Sequence, residues 1–349
     1  MAFGPGEQDV RKVQLTGGAT YTLSLPKPWV VANELSPRDG VRVDWRPSGA
    51  LRLTPIDMLD KQIKRVIINA NSLPEDSLHD HLMGAYISGV DKIRIHFNDG
   101  DGKKHRKEIR RFLRNTRGFE TMSEDDKHTE IVCLINASEM PLSASINRMY
   151  LQLSSLIRDI MSVLEGDDID LLDDSEERES EVDALLYLIE RQVCIALDSH
   201  LVATSLKLGR NQAVEHSNLA RCLERMMDHA LQISQMIQEF DGGIKLKIDE
   251  SPIAQIPIWQ ESIKQLMINI RTRDSHGIEK ARHELKRAQN ELKSHEEGLM
   301  EGRRTARTLI FEIRLSESIR RLCAYSRDFG EILLNIKLYD EIIVDRQND

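Results

Sequence analysis

Residues 219–237 read Leu-Ala-Arg-Cys-Leu-Glu-Arg-Met-Met-Asp-His-Ala-Leu-Gln-Ile-Ser-Gln-Met-Ile. Leu219, Leu223, Met226, Ala230, Ile233 and Ile237 recur three or four positions apart, which draws one apolar stripe on a helix expected over 211–239. Glu224 and Asp228 stand one turn apart on the opposite, polar side, where they are expected to look outward. Sliding the sequence by 96 positions lays Leu219 on Leu315, Leu223 on Ile319, Met226 on Leu322, Ile233 on Phe329 and Ile237 on Leu333, with Arg225 on Arg321. An apolar stripe that returns at a fixed distance is one structural unit used twice.

Working outward, helices are expected near 141–164, 168–200, 211–239, 254–273, 276–299 and 303–338, broken near Gly166, Gly209, Gly242-Gly243 and Gly302. Strand-type alternation is almost absent here apart from Ile244-Lys-Leu-Lys-Ile248. Six helices and an internal repeat predict two three-helix bundles. Before them, residues 62–137 change rhythm. Arg65–Asn69, Lys92–Phe97 and Glu130–Ile135 read as strands, and Pro74–Ser88 and Lys103–Arg117 as helices, which makes a small βαβαβ unit.

The first 56 residues differ again. Tyr21, Leu23 and Leu25 alternate with polar residues after Gly17-Gly18, Pro26 opens a short helix through Leu35, and Val41–Trp45 and Leu51–Leu53 flank a turn at Pro47-Ser-Gly49. Two hairpins around a short helix cannot cover their own apolar faces, so interlocking with a second copy is expected. The fold class is therefore multidomain and mainly α: a hairpin domain over 1–57, the α/β unit over 62–138, and a helical domain over 139–349 whose bundles occupy 139–241 and 252–340.

The chain has 349 residues and a net charge of -9, which argues against a generally basic coat. The charge is uneven. Residues 1–56 hold seven Lys/Arg against five Asp/Glu, whereas residues 165–183 hold eleven Asp/Glu against Arg178 alone. The four cysteines are scattered singly, without the spacing of a disulfide framework or a thiolate metal site, and no stretch reads as a leader or a membrane span. A cytoplasmic protein is expected.

Glu179 and Asp183 also stand one turn apart, at the edge of the stripe formed by Val182, Leu186, Ile189, Val193 and Ala196. Two carboxylate pairs on neighbouring helices suit a hard or borderline cation; equally, they suit a solvated acidic face with Arg178, Arg221 and Arg225 as counter-charges, which spacing alone favours. His229, beside Asp228, is more simply a structural histidine. The run Lys103-Lys-His-Arg-Lys107 with Arg110, Arg111, Arg114 and Arg117 would attract phosphate backbone or form a solvated helix face. In the hairpin segment Arg11, Lys12, Lys27 and Arg38 are the candidate DNA contacts. There is no GxxxxGK[ST], Rossmann fingerprint, HExxH or GxSxG, so an enzyme lacks a motif here, and a metalloenzyme using carboxylate-bound metal would lack a general base.

Arg11-Lys-Val-Gln-Leu-Thr-Gly-Gly-Ala-Thr-Tyr-Thr-Leu-Ser-Leu-Pro-Lys27 with Asp39-Gly-Val-Arg-Val43 resembles the AbrB/SpoVT swapped-hairpin domain, whose members form interlocked dimers that commonly bind DNA. Where many DNA-binding members carry further arginines, this chain has Gly18-Ala19 and Pro28-Trp29. Residues 141–338 resemble a pair of PhoU domains, negative regulators of phosphate uptake that couple to phosphate ABC transporters. Leu223-Glu-Arg-Met-Met-Asp-His-Ala230 is similar to the ERxxDHA signature, and Glu179-Ser-Glu-Val-Asp183 to its E/DxxxD companion. The resemblance implies that Glu179, Asp183, Glu224 and Asp228 ligate iron or other metal ions, at one site per chain, because Arg320, Ala324 and Tyr325 replace Glu224, Asp228 and His229 in the second copy. The combination resembles archaeal phosphate uptake regulators. It implies a homodimeric transcriptional regulator that senses metal or phosphate status or, alternatively, a scaffold that docks on a phosphate transporter or its signalling partner without DNA.

Overall fold

The computed structural model describes residues 8–45, 50–56, 63–98, 102–136, 140–240, 247–299 and 305–342. The turn at Pro47–Gly49, the breaks at Gly242-Gly243 and Gly302, and the start of the Ile244–Ile248 alternation lie outside them. Residues up to Lys64 and residues from Arg65 onward form two compact units.

In the first unit β1 (Gln14–Thr16) pairs antiparallel with β2 (Thr20–Thr22), Thr16 facing Thr20 across the loop Gly17-Gly18-Ala19. Gly17 and Gly18 both take positive φ, 63° and 79°, a region that costs an L side chain about 1–2 kcal/mol. The second strand ends at Thr22, short of the expected Leu25. Helix α1 (Lys27–Ala32) enters through an extended Pro26 and stops three residues before Leu35, where the Asn33 side chain donates to the Trp29 carbonyl at 2.7 Å. β3 (Val41–Trp45) pairs with β4 (Leu51–Pro55). Among the described residues of this unit only Pro55 is buried, while Tyr21 and Leu51 stand 73% and 63% exposed.

The second unit begins with a four-stranded sheet in the order β5-β6-β8-β7, made of β5 (Arg65–Asn69), β6 (Lys92–His96), β7 (Phe119–Glu124) and β8 (His128–Cys133). β5 and β6 run parallel around the right length of crossover, α2 (Leu78–Ile87), and β8 pairs antiparallel with both β6 and β7. Helices α2 and α3 (Gly102–Asn115) supply Leu78, Leu82, Tyr86, Ile109 and Phe112 to a core completed by Ile93, Ile95, Phe119 and Ile131. The unit is thus βαβαββ, not the expected βαβαβ. The extra strand β7 buries only Phe119 and lies at the sheet edge, so its sequence lacks the apolar alternation that marks a half-buried strand.

The rest is helical: α4 (Leu142–Glu165), α5 (Ser175–Asp198), α6 (His200–Ser205), α7 (Arg210–Glu239), α8 (Ile256–Thr272), α9 (Ser275–Leu299) and α10 (Ala306–Asp340). The helix expected over 168–200 divides. A 3-10 turn at Ile169–Leu172, capped by Asp168, precedes α5, and Ser199 caps the start of α6. Helices α4, α5 and α7 pack as one bundle and α8, α9 and α10 as a second, with α7 against α10. The apolar residues matched by the 96-position slide are all buried, and one continuous apolar core runs from Leu142 to Ile336 through both bundles. Trp259 at its centre donates its indole N–H to Ser326 Oγ at 2.8 Å.

The sheet and the bundles keep separate cores but share one compact unit, held at Arg191 of α5. This guanidinium, 3% exposed, donates through Nη1 to the carbonyls of Tyr86 (2.8 Å) and Val90 (2.9 Å) and through Nη2 to Asp91 (3.4 Å). It also lies over the rings of Tyr86 and Phe119. Arg191→Ala removes the donor to the buried Tyr86 carbonyl and the part-buried Val90 carbonyl, so it is expected to lower unfolding stability by about 3 kcal/mol in urea titration, with amides of α2 losing exchange protection first. Arg191→Lys is expected to recover only part, since one ammonium cannot span three acceptors.

Candidate functional site

Helices α5 and α7 bury Val182, Leu186, Ile189 and Val193 against Leu219, Leu223 and Met226. Their antiparallel register is marked by Arg221, whose Nη2 meets Glu190 Oε1 at 2.6 Å. In that register Glu179 and Asp183 come opposite Asp228 and Glu224. All four are half-buried, which corrects the expectation that Glu224 and Asp228 look outward. An edge position on an isolated stripe becomes a seam position once the neighbouring helix is in place.

The electrostatics follow from that seam. Burial, then the charges of Asp183 and Asp228, push the Glu179 carboxyl up to about 7. Burial and the charges of Glu224 and Asp228 push Asp183 up to about 6. Glu224 rises to about 7 through burial and Asp228, against a lowering by Arg225 and Arg221, and Asp228 rises through burial. Tyr187, one turn beyond Asp183, is pushed up to about 12 by burial and by Asp183, Glu224, Glu190 and Glu179. Four acids therefore repel one another across two helices.

The arginines proposed as counter-charges are engaged elsewhere. Arg178 pairs with Asp159 at 2.5 Å and Asp174 at 2.8 Å, Arg221 with Glu190, and the Arg225 guanidinium lies 5.6 Å from the Tyr325 ring centroid. Among the described residues no ion pair reaches Glu179, Asp183, Glu224 or Asp228; Glu179 accepts a long hydrogen bond from Ser180 at 3.5 Å. Among the described residues, too, no three His, Cys, Asp or Glu side chains converge closely enough to hold a metal ion as they are placed. The donor chemistry suits a hard cation.

His229 does not join this group. Its ring stacks on Tyr325 at 5.8 Å, beside a cavity of about 430 Å³ lined by Gln232, Met236, Arg314 and Glu317. Burial and Arg321 hold its pKa below the usual range. In the second bundle Arg320, at the position matching Glu224, pairs with Glu296 at 3.2 Å, so an ion pair occupies the matching place. Sequence reasoning missed Tyr187 and Glu190, although both continue the one-turn ladder from Glu179 and Asp183 along α5.

The four candidate DNA contacts fall on three segments of the first unit. Arg11 and Lys12 precede β1, Lys27 begins α1, and Arg38 sits in the turn before β3 with φ 85°. All are exposed, and Arg11 is held by Asp9 at 2.5 Å, which offsets part of its charge.

A model of the PhoU domain matches residues 146–237, the stretch from α4 through α7 that carries all four seam acids. The match points to the regulation of phosphate uptake as the broad function. No curated protein matches the chain. No helix among the described residues is long and apolar enough to cross a membrane.

Carboxyls whose pKa is raised on folding bind protons more tightly folded than unfolded, so metal-free protein loses stability as pH climbs from about 4 through about 7. Glu224→Gln removes one repelling charge. It is expected to raise the melting temperature of the metal-free chain at pH 7.5 by about 2–4 °C, about 1 kcal/mol after allowing for solvent screening of half-exposed groups, and to leave it unchanged at pH 4.5. Differential scanning calorimetry at both pH values, with chelator present, checks this.

Proposed function

We propose that this protein is a homodimeric, cytoplasmic regulator of phosphate uptake, of the archaeal type, that acts at DNA through an AbrB/SpoVT-like hairpin domain and senses metal or phosphate status in its helical domain. The observation that carries this reading is the seam of four acids without an ion-pair partner among the described residues, inside the stretch that the PhoU domain model matches. Glu179, Asp183, Glu224 and Asp228 would hold the cation. Carboxylates admit magnesium, manganese, calcium or iron, and the ion would supply charge neutralisation across α5 and α7, not turnover. The protein then acts by binding, without catalysis.

Dimerisation is supported by the first unit, where Leu15, Tyr21, Val43 and Leu51 are exposed and Pro55 alone is buried among the described residues. A hairpin pair with so little core is marginal in water, and a second copy would cover these side chains. Division of function along residues 1–57, 62–138 and 139–349 follows from the same reading.

Genome-wide DNA cross-linking from native cells separates this from the alternative, a scaffold on a phosphate transporter or its signalling partner. Enrichment at a limited set of upstream regions, changing with phosphate supply, is expected. Co-purification of a transporter component with no DNA enrichment would establish the scaffold instead.

A further inference from the structure

Helix α3 carries cations that no described residue pairs with. Lys103, Lys107, Arg110, Arg111 and Arg114 are all exposed and, among the described residues, engage no ion pair. Their basic neighbours do: Lys104 with Glu75 at 2.8 Å and Asp76 at 3.1 Å, Arg106 with Glu124 at 2.8 Å, and Arg117 with Glu181 at 3.6 Å. At about 100° per residue the five unpaired side chains fall within an arc of about 100°, directly opposite the buried Ile109 and Phe112. At a rise of 1.5 Å per residue they span about 16 Å.

Four kinds of partner carry enough negative charge to match such a stripe. A protein partner needs an apolar centre to its interface, and a membrane surface is gripped by apolar side chains set beside the charge. The stripe offers neither, since Phe112 is fully buried and Ile109 3% exposed. Single-stranded nucleic acid is held by aromatic stacking, which the same burial removes. A duplex backbone fits. The phosphates of one strand advance about 3.4 Å each along the duplex axis while winding around it, so about 16 Å of helix meets roughly three of them with a surplus of cations, and interfaces of this kind are polar and strongly positive.

We propose that the outer face of α3 is a docking surface for the phosphate backbone of duplex nucleic acid, positioning it without reading sequence. It does not depend on the hairpin domain's DNA contacts and works through a different set of residues. Because each phosphate contact releases bound counterions, the surface gives affinity that falls steeply with salt.

The test is fluorescence anisotropy of a labelled 25-base-pair duplex of arbitrary sequence against the full chain, from 50 to 200 mM salt. The triple variant Lys107→Ala, Arg111→Ala, Arg114→Ala is expected to bind at least ten-fold more weakly at 50 mM and to flatten the slope of log affinity against log salt by about 2 to 3. Its circular dichroism melt is expected to match the parent, because the three side chains are exposed and unpaired. The double variant Arg11→Ala, Lys12→Ala is expected to keep this part of the slope, so failure of the hairpin contact and failure of the α3 surface give different results. An unchanged slope in the triple variant overturns the proposal. So does loss of binding to phosphatidylserine vesicles, or conversion of an oligomer to a smaller species in sedimentation, while duplex binding stays the same; those outcomes assign the stripe to a membrane or to a second copy.

Discussion

Four carboxylates on adjacent antiparallel helices, without an ion-pair partner among the described residues, are the constraint around which the helical unit is arranged. Burying Val182, Leu186 and Ile189 of α5 against Leu219 and Leu223 of α7 is what makes the bundle stable, and each of those leucine-sized side chains contributes about 1.5–3 kcal/mol. The same packing forces Glu179, Asp183, Glu224 and Asp228 into the seam. Arginines on both helices lie within a turn, yet each is drawn to another partner: Asp159 and Asp174, Glu190, or the Tyr325 ring. A fold selected for stability alone would relieve this repulsion by placing one cation in the seam.

The acids share α5 with the anchor of the α/β layer. Asp183, Tyr187 and Arg191 follow one another at single-turn intervals, and Arg191 holds the carbonyls of Tyr86 and Val90. Tyr187 packs against the core of that layer while its hydroxyl feels the field of the acids. The cationic helix α3 belongs to the layer so anchored, and Glu181, on the next face of α5, meets both Arg117 and Arg148. Acidic and basic surfaces are thus separated on one continuous framework.

Much of the helical part was legible because a 3.6-residue stripe repeated at 96 positions leaves few alternatives, and the observed helices fall within a few residues of those read from it. Four features were not. Strand β7 has a polar sequence because it lies on a sheet edge. The division before α5 depends on Asp168 and on local capping that charge composition hides. The inward placement of Glu224 and Asp228 depends on the neighbouring helix, which a single-helix wheel does not contain. The pairing of charges was hidden for the same reason: Arg178, Arg221 and Arg225 sit beside the acids in sequence but meet other partners in space.

The proposal that the seam is a cation site is tested most directly by calorimetric titration of manganese or ferrous ion into the metal-free full chain, in two buffers of different ionisation enthalpy. Carboxyls with pKa values of about 6 to 7 still hold protons near pH 6.5, so binding there is expected to release protons, with less release at pH 8. Both signals are expected to vanish when Glu179, Asp183, Glu224 and Asp228 are replaced by alanine. Saturable binding with the same proton release in that variant would place the metal elsewhere, and no binding to the parent chain would leave the seam without its cation.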